Sequence, residues 1–104
     1  MARFHHVGVP SKVRRDGETY LEGGKVHITD PGRHPYGFEY LRFERGSPLP
    51  KELQTMPHVA FMVESVEAAL EGEKVVLPPL DATPELRVAF IMKDGVLIEV
   101  MQRR

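Results

Sequence analysis

The sequence has 104 residues, of which 41% are hydrophobic and 28% charged, the proportions of one soluble folded domain. Its 14 basic and 15 acidic residues leave a net charge of −1, which gives no electrostatic attraction for nucleic acid or an anionic membrane. The absence of cysteine excludes disulfides, thiolate zinc sites and cysteine nucleophiles. No apolar stretch approaches the ~20 residues of a membrane span and no secretory leader opens the chain, so we expect a single cytoplasmic domain over residues 1–104.

Short apolar runs between glycines and prolines predict strands in the first half of the chain. These runs are residues 4–9, 19–21, 25–29 and 38–43. Gly23 and Gly24 are expected to turn the second and third runs into a hairpin, because glycine allows a positive φ. The charged stretch 11–17 is predicted to be a loop, and the proline-containing stretch 47–57 a linker.

The second half begins with a similar strand and then differs by one helix. Strands are predicted at residues 58–63, 74–77, 87–92 and 96–101. Ser65 is placed to cap a short helix over residues 66–71, since its hydroxyl can accept from a first-turn amide. Asp94-Gly95 is a strong turn signal and predicts that the last two strands form a hairpin.

The two halves repeat a histidine and a glutamate at matching points. His6 and His58 each open a strand with a small residue two places later, and Glu39 and Glu99 each stand alone in an apolar strand. The second spacing is longer by about eight residues, or two turns, the size of the extra helix. Burying a bare carboxylate costs several kcal/mol, so each glutamate needs a cation or a dense set of hydrogen bonds. A divalent metal held by two imidazoles and two carboxylates meets that need.

At these residues the chain resembles the vicinal oxygen chelate superfamily, which includes glyoxalases, extradiol dioxygenases and antibiotic-resistance proteins. The segments FHHVGV and PHVAFMVESVEAAL are similar to the family's two module openings, and GFEYLRFERGSP and DGVLIEVM to its closing strands. The resemblance implies an α+β fold in which two βαβββ-type modules form a cupped mixed sheet. Module one would cover about residues 1–48, with its helix reduced or missing, and module two about residues 57–104.

The resemblance also implies a site and an activity. Carried across by position, His6, Glu39, His58 and Glu99 would hold one divalent ion (Ni, Zn, Co, Mn or Fe), with Glu39 and Glu99 also catalytic. The expected activity is that of a glyoxalase-type lyase or isomerase, in which the ion polarises a small oxygenated substrate while a glutamate moves a proton. The alternative is a non-catalytic protein that binds or sequesters a small molecule in the same cup.

The other histidines and one carboxylate leave alternatives open. His5 is adjacent to His6 but points to the opposite face of its strand, so we predict a structural role. His27 either faces the cup or is structural, and His34 and Tyr36 lie in a loop that a module of this kind places near the mouth. Glu39 has its own alternative, which is an ion pair with Arg42 or Arg33 rather than metal ligation.

The missing helix predicts a homodimer. Val7, Val9, Phe38 and Tyr40 share one face of the first module's strands, and the sequence offers no helix to cover them. Exposed apolar patches usually mark a contact with a partner, and a symmetric pair of chains is the commonest arrangement. The loop 11–17 is the alternative cover, although it is short and mostly charged.

Overall fold

A computed structural model describes every residue from Met1 to Arg104. The chain forms two compact units, which we call the N-terminal unit (His6–Pro57) and the C-terminal unit (Met1–His5 together with His58–Arg104). The predicted α+β class with a mixed sheet and reduced helices is confirmed. The elements are β1 (Arg3–Pro10), β2 (Thr19–Leu21), β3 (Val26–Ile28), β4 (Phe38–Phe43), α1 (Lys51–Thr55), β5 (His58–Met62), α2 (Val66–Leu70), β6 (Lys74–Thr83), β7 (Leu86–Lys93) and β8 (Val96–Arg103).

The strands of the N-terminal unit follow one another in the order β2-β3-β4-β1. The β2–β3 and β3–β4 pairs are antiparallel, and β1 lies parallel to β4 with Val7 opposite Phe38 and Gly8 opposite Glu39. Since opposed residues point to the same side of a sheet, Gly8 and Glu39 share one face, and Val7 and Phe38 share the other.

The C-terminal unit repeats this connection in the order β5-β8-β7-β6. Here β5 lies parallel to β8, with Ala60 opposite Glu99, and the β7–β8 and β6–β7 pairs are antiparallel. The first residues of β1 belong to this unit, where the ring of Phe4 meets that of Phe61 edge to face at 6.4 Å.

Two local predictions for the second half are confirmed. The hydroxyl of Ser65 accepts a hydrogen bond of 3.1 Å from the amide of Ala68 and so caps α2. Asp94 and Gly95 turn β7 into β8 with φ angles of +53° and +79°, the pair of positive values that a type I′ hairpin requires. Neither helix is long or apolar enough to cross a membrane.

Three local predictions are wrong in detail. In the β2–β3 hairpin the residue with positive φ is Lys25, at +47°, because Gly23 and Gly24 belong to a single 3-10 turn over Glu22–Gly24. The predicted linker contains α1, which buries Leu53 to 3% exposure. Finally, β6 runs on to Thr83, well beyond the end predicted at residue 77, and breaks in its pairing with β7 accommodate Pro78 and Pro79.

The C-terminal unit covers one face of its strands with α2. Val66, at the start of the helix, is fully buried against Ala89 and Val100, and Ala69 and Leu70 pack beside it. This face is the one that β8 presents with Ile98 and Val100, opposite to the face that carries Glu99.

In the N-terminal unit the corresponding face is covered by polar and aromatic side chains from loops. The guanidinium carbon of Arg15 lies 3.6 Å from the ring centre of Tyr40, and the ring of His34 stacks on Phe38 at 4.6 Å with the planes 3° apart. Homodimerisation stays a prediction, but the loop 11–17 does reach this face despite its charge.

Candidate metal centre

The N-terminal unit places His6 beside Glu39. His6 is 2% exposed, and its Nε2 lies 3.4 Å from Oε1 of Glu39, whose side chain is 14% exposed. The two residues meet because β1 runs parallel to β4 with Gly8 opposite Glu39, and His6 is two residues before Gly8 on the same face. Since Gly8 has no side chain, the carboxylate can extend along the strand towards the imidazole.

The C-terminal unit places His58 beside Glu99 in the same way. His58 is 1% exposed, and its Nε2 lies 3.2 Å from Oε1 of Glu99, a residue that is 8% exposed. Ala60, the small residue two places after His58, lies opposite Glu99 on the parallel strand. The ring of Phe90 meets the imidazole edge to face with centres 5.1 Å apart, so an apolar wall holds His58 in orientation.

The two units therefore form their His–Glu pairs through the same local strand register. In each unit a histidine precedes a small residue by two positions, and that small residue faces a glutamate across a parallel strand pair. Each unit also buries its histidine almost completely and leaves its carboxylate slightly more open. This shared register is the structural basis of the repeat that the sequence shows.

The donor chemistry of each pair suits a divalent ion. Imidazole nitrogen and carboxylate oxygen are ligands for zinc, nickel, cobalt, manganese and iron. Ligand atoms that sit about 2.0–2.2 Å from a shared ion are about 3–3.5 Å from one another. The separations of 3.4 Å in the His6–Glu39 pair and 3.2 Å in the His58–Glu99 pair fall within that range. Each pair thus fits one edge of a metal coordination shell.

The ion-pair alternative for Glu39 is not what the structure shows. Arg42 forms a bidentate ion pair with Glu18 instead. Its Nε and one terminal nitrogen donate hydrogen bonds of 3.0 Å and 2.7 Å to the two carboxylate oxygens. This pairing holds the pKa of Glu18 at about 2, mainly through the hydrogen bond from Arg42. Arg33 is exposed on a 3-10 turn and forms no pair with Glu39.

His27 lies on the strand face opposite to Glu39. It stands across from Arg42 on β4 and from Tyr20 on β2, and its Nε2 is 2.9 Å from a carboxylate oxygen of Glu44. The hydrogen bond from His27 is the main cause that lowers the pKa of Glu44. Of the two alternatives for His27, the structural role is therefore the one that its contacts support.

His34 and Tyr36 lie in a loop of the N-terminal unit, and His34 joins the face that carries Phe38. Its Nδ1 accepts from the amide of Tyr36 at 3.1 Å, and its Nε2 is 3.3 Å from the hydroxyl of Tyr40. These two histidine contacts belong to the face opposite to Glu39, away from the His6–Glu39 pair. His5 is exposed, unlike its buried neighbour His6.

Sequence reasoning overlooked Phe90 as a neighbour of the site. A signal for it was present, because a hairpin turning at Asp94-Gly95 puts Phe90 opposite Glu99, and β7 and β8 do pair in this register. A side chain opposite Glu99 lies on the same face and next to the carboxylate.

Comparison with known proteins shows the fold and no function. No protein-family model matches the chain, and no curated protein matches it. The crystal structure of hypothetical protein BH1468 from Bacillus halodurans C-125 is similar, with a TM-score of 0.72 and 20% sequence identity over 99% of this chain and 95% of that one. At this identity the likeness is one of fold, which the two proteins share over nearly their whole lengths.

Proposed function

We propose that this protein is a metal-dependent lyase or isomerase of the glyoxalase type, acting on a small oxygenated substrate. The observation that carries the proposal is the identical register of the two His–Glu pairs, one in each unit. The resemblance of the sequence segments to the vicinal oxygen chelate superfamily supports the same conclusion. The alternative to an enzyme is a protein that binds a small molecule without transforming it, and the test below distinguishes the two.

The proposed ligands are the four side chains of the two pairs. His6, Glu39 and His58 each offer one donor atom of a type that binds metal ions, so these three residues could hold one. Glu99 adds the fourth donor through its pair with His58. Both histidines are almost fully buried, so their rings have little freedom to turn away from a ligand position.

The glutamates are the proposed proton carriers. A bound divalent ion supplies Lewis-acid polarisation of a substrate carbonyl oxygen. Glu39 or Glu99 takes the proton from the carbon next to that carbonyl, and the electrons of the broken C–H bond form an enediolate. That carbon carries a hydroxyl group, and the same carboxylate returns the proton to the former carbonyl carbon while the hydroxyl proton moves to the former carbonyl oxygen, so that atoms and charge balance. The near-burial of both carboxylates keeps bulk water from competing for the proton.

Exchange of the substrate's α-proton with solvent tests this function. Protein loaded with a divalent ion is mixed in heavy water with a panel of 2-oxo and hemithioacetal compounds, and deuterium incorporation is followed by NMR. We expect at least one compound to exchange, and Glu39→Gln or Glu99→Gln to slow that exchange about 10²–10⁴-fold. The matched control is Glu71→Gln, which changes an exposed carboxylate at the end of α2.

Two results would contradict the enzymatic proposal. One is exchange that continues at the same rate in both glutamine variants. The other is tight binding of a compound with no exchange of any compound in the panel, which would replace the proposed activity with sequestration of the bound molecule.

A further inference from the structure

We infer that the N-terminal unit carries a second binding site, for a small aromatic molecule with one anionic group such as a carboxylate or a phosphate. The site is a cavity of about 520 Å³ on the face opposite to Glu39. Its volume lies within the range of about 300–1,000 Å³ typical of pockets for small ligands. The cavity is bounded by the loop residues 15–17, by Thr19 at the start of β2, by residues of the stretch 29–34 and by β4.

Aromatic rings form one wall of the cavity. Phe38 and Tyr40 are alternate residues of β4, so both project to this face, and their rings meet edge to face at 6.3 Å. The ring of His34 stacks on Phe38 with centres 4.6 Å apart. These three side chains are only partly buried, which leaves ring surface available to stack against a planar ligand.

The hydrogen bonds of His34 leave a donor free in the cavity. The amide of Tyr36 donates to Nδ1 of His34, so Nδ1 carries no proton and the proton of the neutral ring is on Nε2. That Nε2–H donates to the hydroxyl oxygen of Tyr40 at 3.3 Å. The hydroxyl hydrogen of Tyr40 therefore has no acceptor within the chain and can donate to an acceptor on a ligand.

Two guanidinium groups add further donors. One terminal nitrogen of Arg15 donates to the hydroxyl of Ser11 at 2.8 Å and to the carbonyl of Val13 at 3.3 Å, which fixes the group over Tyr40 while its Nε and second terminal nitrogen remain available. Arg33 also lines the cavity, and its guanidinium forms no hydrogen bond or ion pair within the chain, whereas its backbone amide donates to the carbonyl of Asp30. A guanidinium offers paired donors that match the two oxygens of a carboxylate or phosphate.

The acidic residues of the cavity restrict which anion can bind. Asp16 and Asp30 also line it, and one oxygen of Asp30 accepts from the amide of Gly32 at 2.8 Å. Two carboxylates against two guanidinium groups leave no net positive charge, so attraction depends on directed hydrogen bonds and on stacking. A ring with one anionic group can use both, whereas an inorganic anion can use only the hydrogen bonds.

Titration with four probes tests this inference without reference to the metal site. Benzoate, phenyl phosphate, inorganic phosphate and cyclohexanecarboxylate are added to the metal-free protein, and binding is followed by calorimetry and by the amide NMR signals of residues 15–19 and 29–40. We expect benzoate or phenyl phosphate to bind at least about tenfold more tightly than the other two probes. Cyclohexanecarboxylate has a ring that is not aromatic, and inorganic phosphate has no ring. The stronger of the two aromatic probes identifies the anionic group.

Variants show whether the binding uses the proposed donors. Arg33→Ala and Tyr40→Phe should each weaken the preferred probe by about tenfold or more, the value of a hydrogen bond to a charged group. Arg14→Ala is the matched control, since Arg14 is an exposed arginine that neighbours Arg15 in the chain and does not line the cavity. Equal weakening by Arg33→Ala and Arg14→Ala, equal binding of all four probes, or no saturable binding at millimolar concentration would each overturn the inference.

Discussion

The two units use different side chains to cover the strand face opposite to their His–Glu pairs. In the C-terminal unit α2 buries Val66 against Ala89 and Val100, so the cover is an apolar helix. In the N-terminal unit Arg15 lies over Tyr40 and His34 over Phe38, so the cover is made of cationic and aromatic loop side chains. The pair on the other face is nevertheless built in the same register in both units.

The comparison shows that the His–Glu pair depends on the strand register, which the two units share. The cover of the opposite face differs between them without altering the pair. A histidine, a small residue and a facing glutamate on parallel strands are sufficient to bring the donor atoms to 3.2–3.4 Å. The opposite face need only be kept from water, which a helix does through buried apolar area and loops do through stacking. The polar cover of the N-terminal unit borders the cavity of about 520 Å³ described above.

Breaking the apolar cover should have the largest effect. Val66→Asp places a charge at a fully buried position, and we expect the free energy of unfolding to fall by at least about 3 kcal/mol. Urea unfolding followed by circular dichroism measures this change. Val96→Asp is the matched control, because Val96 is 45% exposed, and its expected cost is below about 1 kcal/mol.

The corresponding change in the N-terminal unit should cost less. Arg15→Ala removes the guanidinium from the ring of Tyr40 together with its hydrogen bonds to Ser11 and Val13. At this partly exposed site we expect the total cost to stay below about 2 kcal/mol. The same urea unfolding measures it. A loss as large as that of Val66→Asp would show that the polar cover stabilises its unit as strongly as the helix does, against this account.

Removal of the helix cap should give a similarly modest loss. Ser65→Ala deletes the acceptor for the amide of Ala68, and we expect a cost of about 1 kcal/mol. Ser65→Asp restores an acceptor and is the control, so its stability should stay close to that of the wild type. An unchanged stability in Ser65→Ala would mean that packing alone holds α2 in place.

Acid should affect the Glu18–Arg42 pair of the N-terminal unit in a defined pH range. The pKa of Glu18 is lowered from 4.5 to about 2 by its hydrogen bond from Arg42, so the folded state binds the proton less readily than the unfolded state. The stability that this pair adds is fully present above pH 4.5 and is lost as the pH falls towards 2. Thermal unfolding across that range should show a smaller fall in Tm for Glu18→Gln than for the wild type.

The matching pair in the C-terminal unit is the control for that experiment. Arg87 forms hydrogen bonds with Glu67, whose side chain is 58% exposed, whereas that of Glu18 is only 10% exposed. The pKa of Glu67 is lowered as well, chiefly by Arg87. Since solvent screens the exposed pair, Glu67→Gln should change the pH dependence less than Glu18→Gln does. Equal effects would contradict the burial argument.

Association of two chains through the N-terminal face stays a prediction from the sequence. Light scattering behind a sizing column should give twice the mass of one chain, and Phe38→Asp should reduce it to that of one chain. A monomer at high protein concentration would show that Arg15 and His34 are sufficient cover for this face. The cavity and the predicted contact share Phe38 and Tyr40, so an aromatic anion should shift such a dimer towards monomer.

Local signals made most of the strands and the candidate ligands predictable. Asp94-Gly95 fixed the register of the last hairpin, and the matching spacing around His6 and His58 indicated the repeat without any coordinates. Strand alternation then assigned His6 and Glu39 to one face, which the register of β1 with β4 bears out.

Other features depend on tertiary contacts that the sequence pattern does not express. Lys25 takes the left-handed conformation because Gly23 and Gly24 both lie within the 3-10 turn and Lys25 is the residue that ends it. The face on which His27 lies is set by the register of β3 against β4, a pairing across the stretch 29–37 that the sequence pattern does not express. Likewise, a charged loop gives no sign that Arg15 will stack on a ring about 25 residues further along the chain.

We propose that the two His–Glu pairs hold a single divalent ion. Protein equilibrated with Ni²⁺, Co²⁺ or Zn²⁺, dialysed and assayed by elemental analysis and calorimetry, should contain one ion per chain. His58→Ala and Glu99→Ala, which alter one pair, and Glu39→Ala, which alters the other, should each abolish this binding, while His5→Ala should leave it unchanged. Two ions per chain, or an unchanged affinity in Glu99→Ala, would contradict the claim.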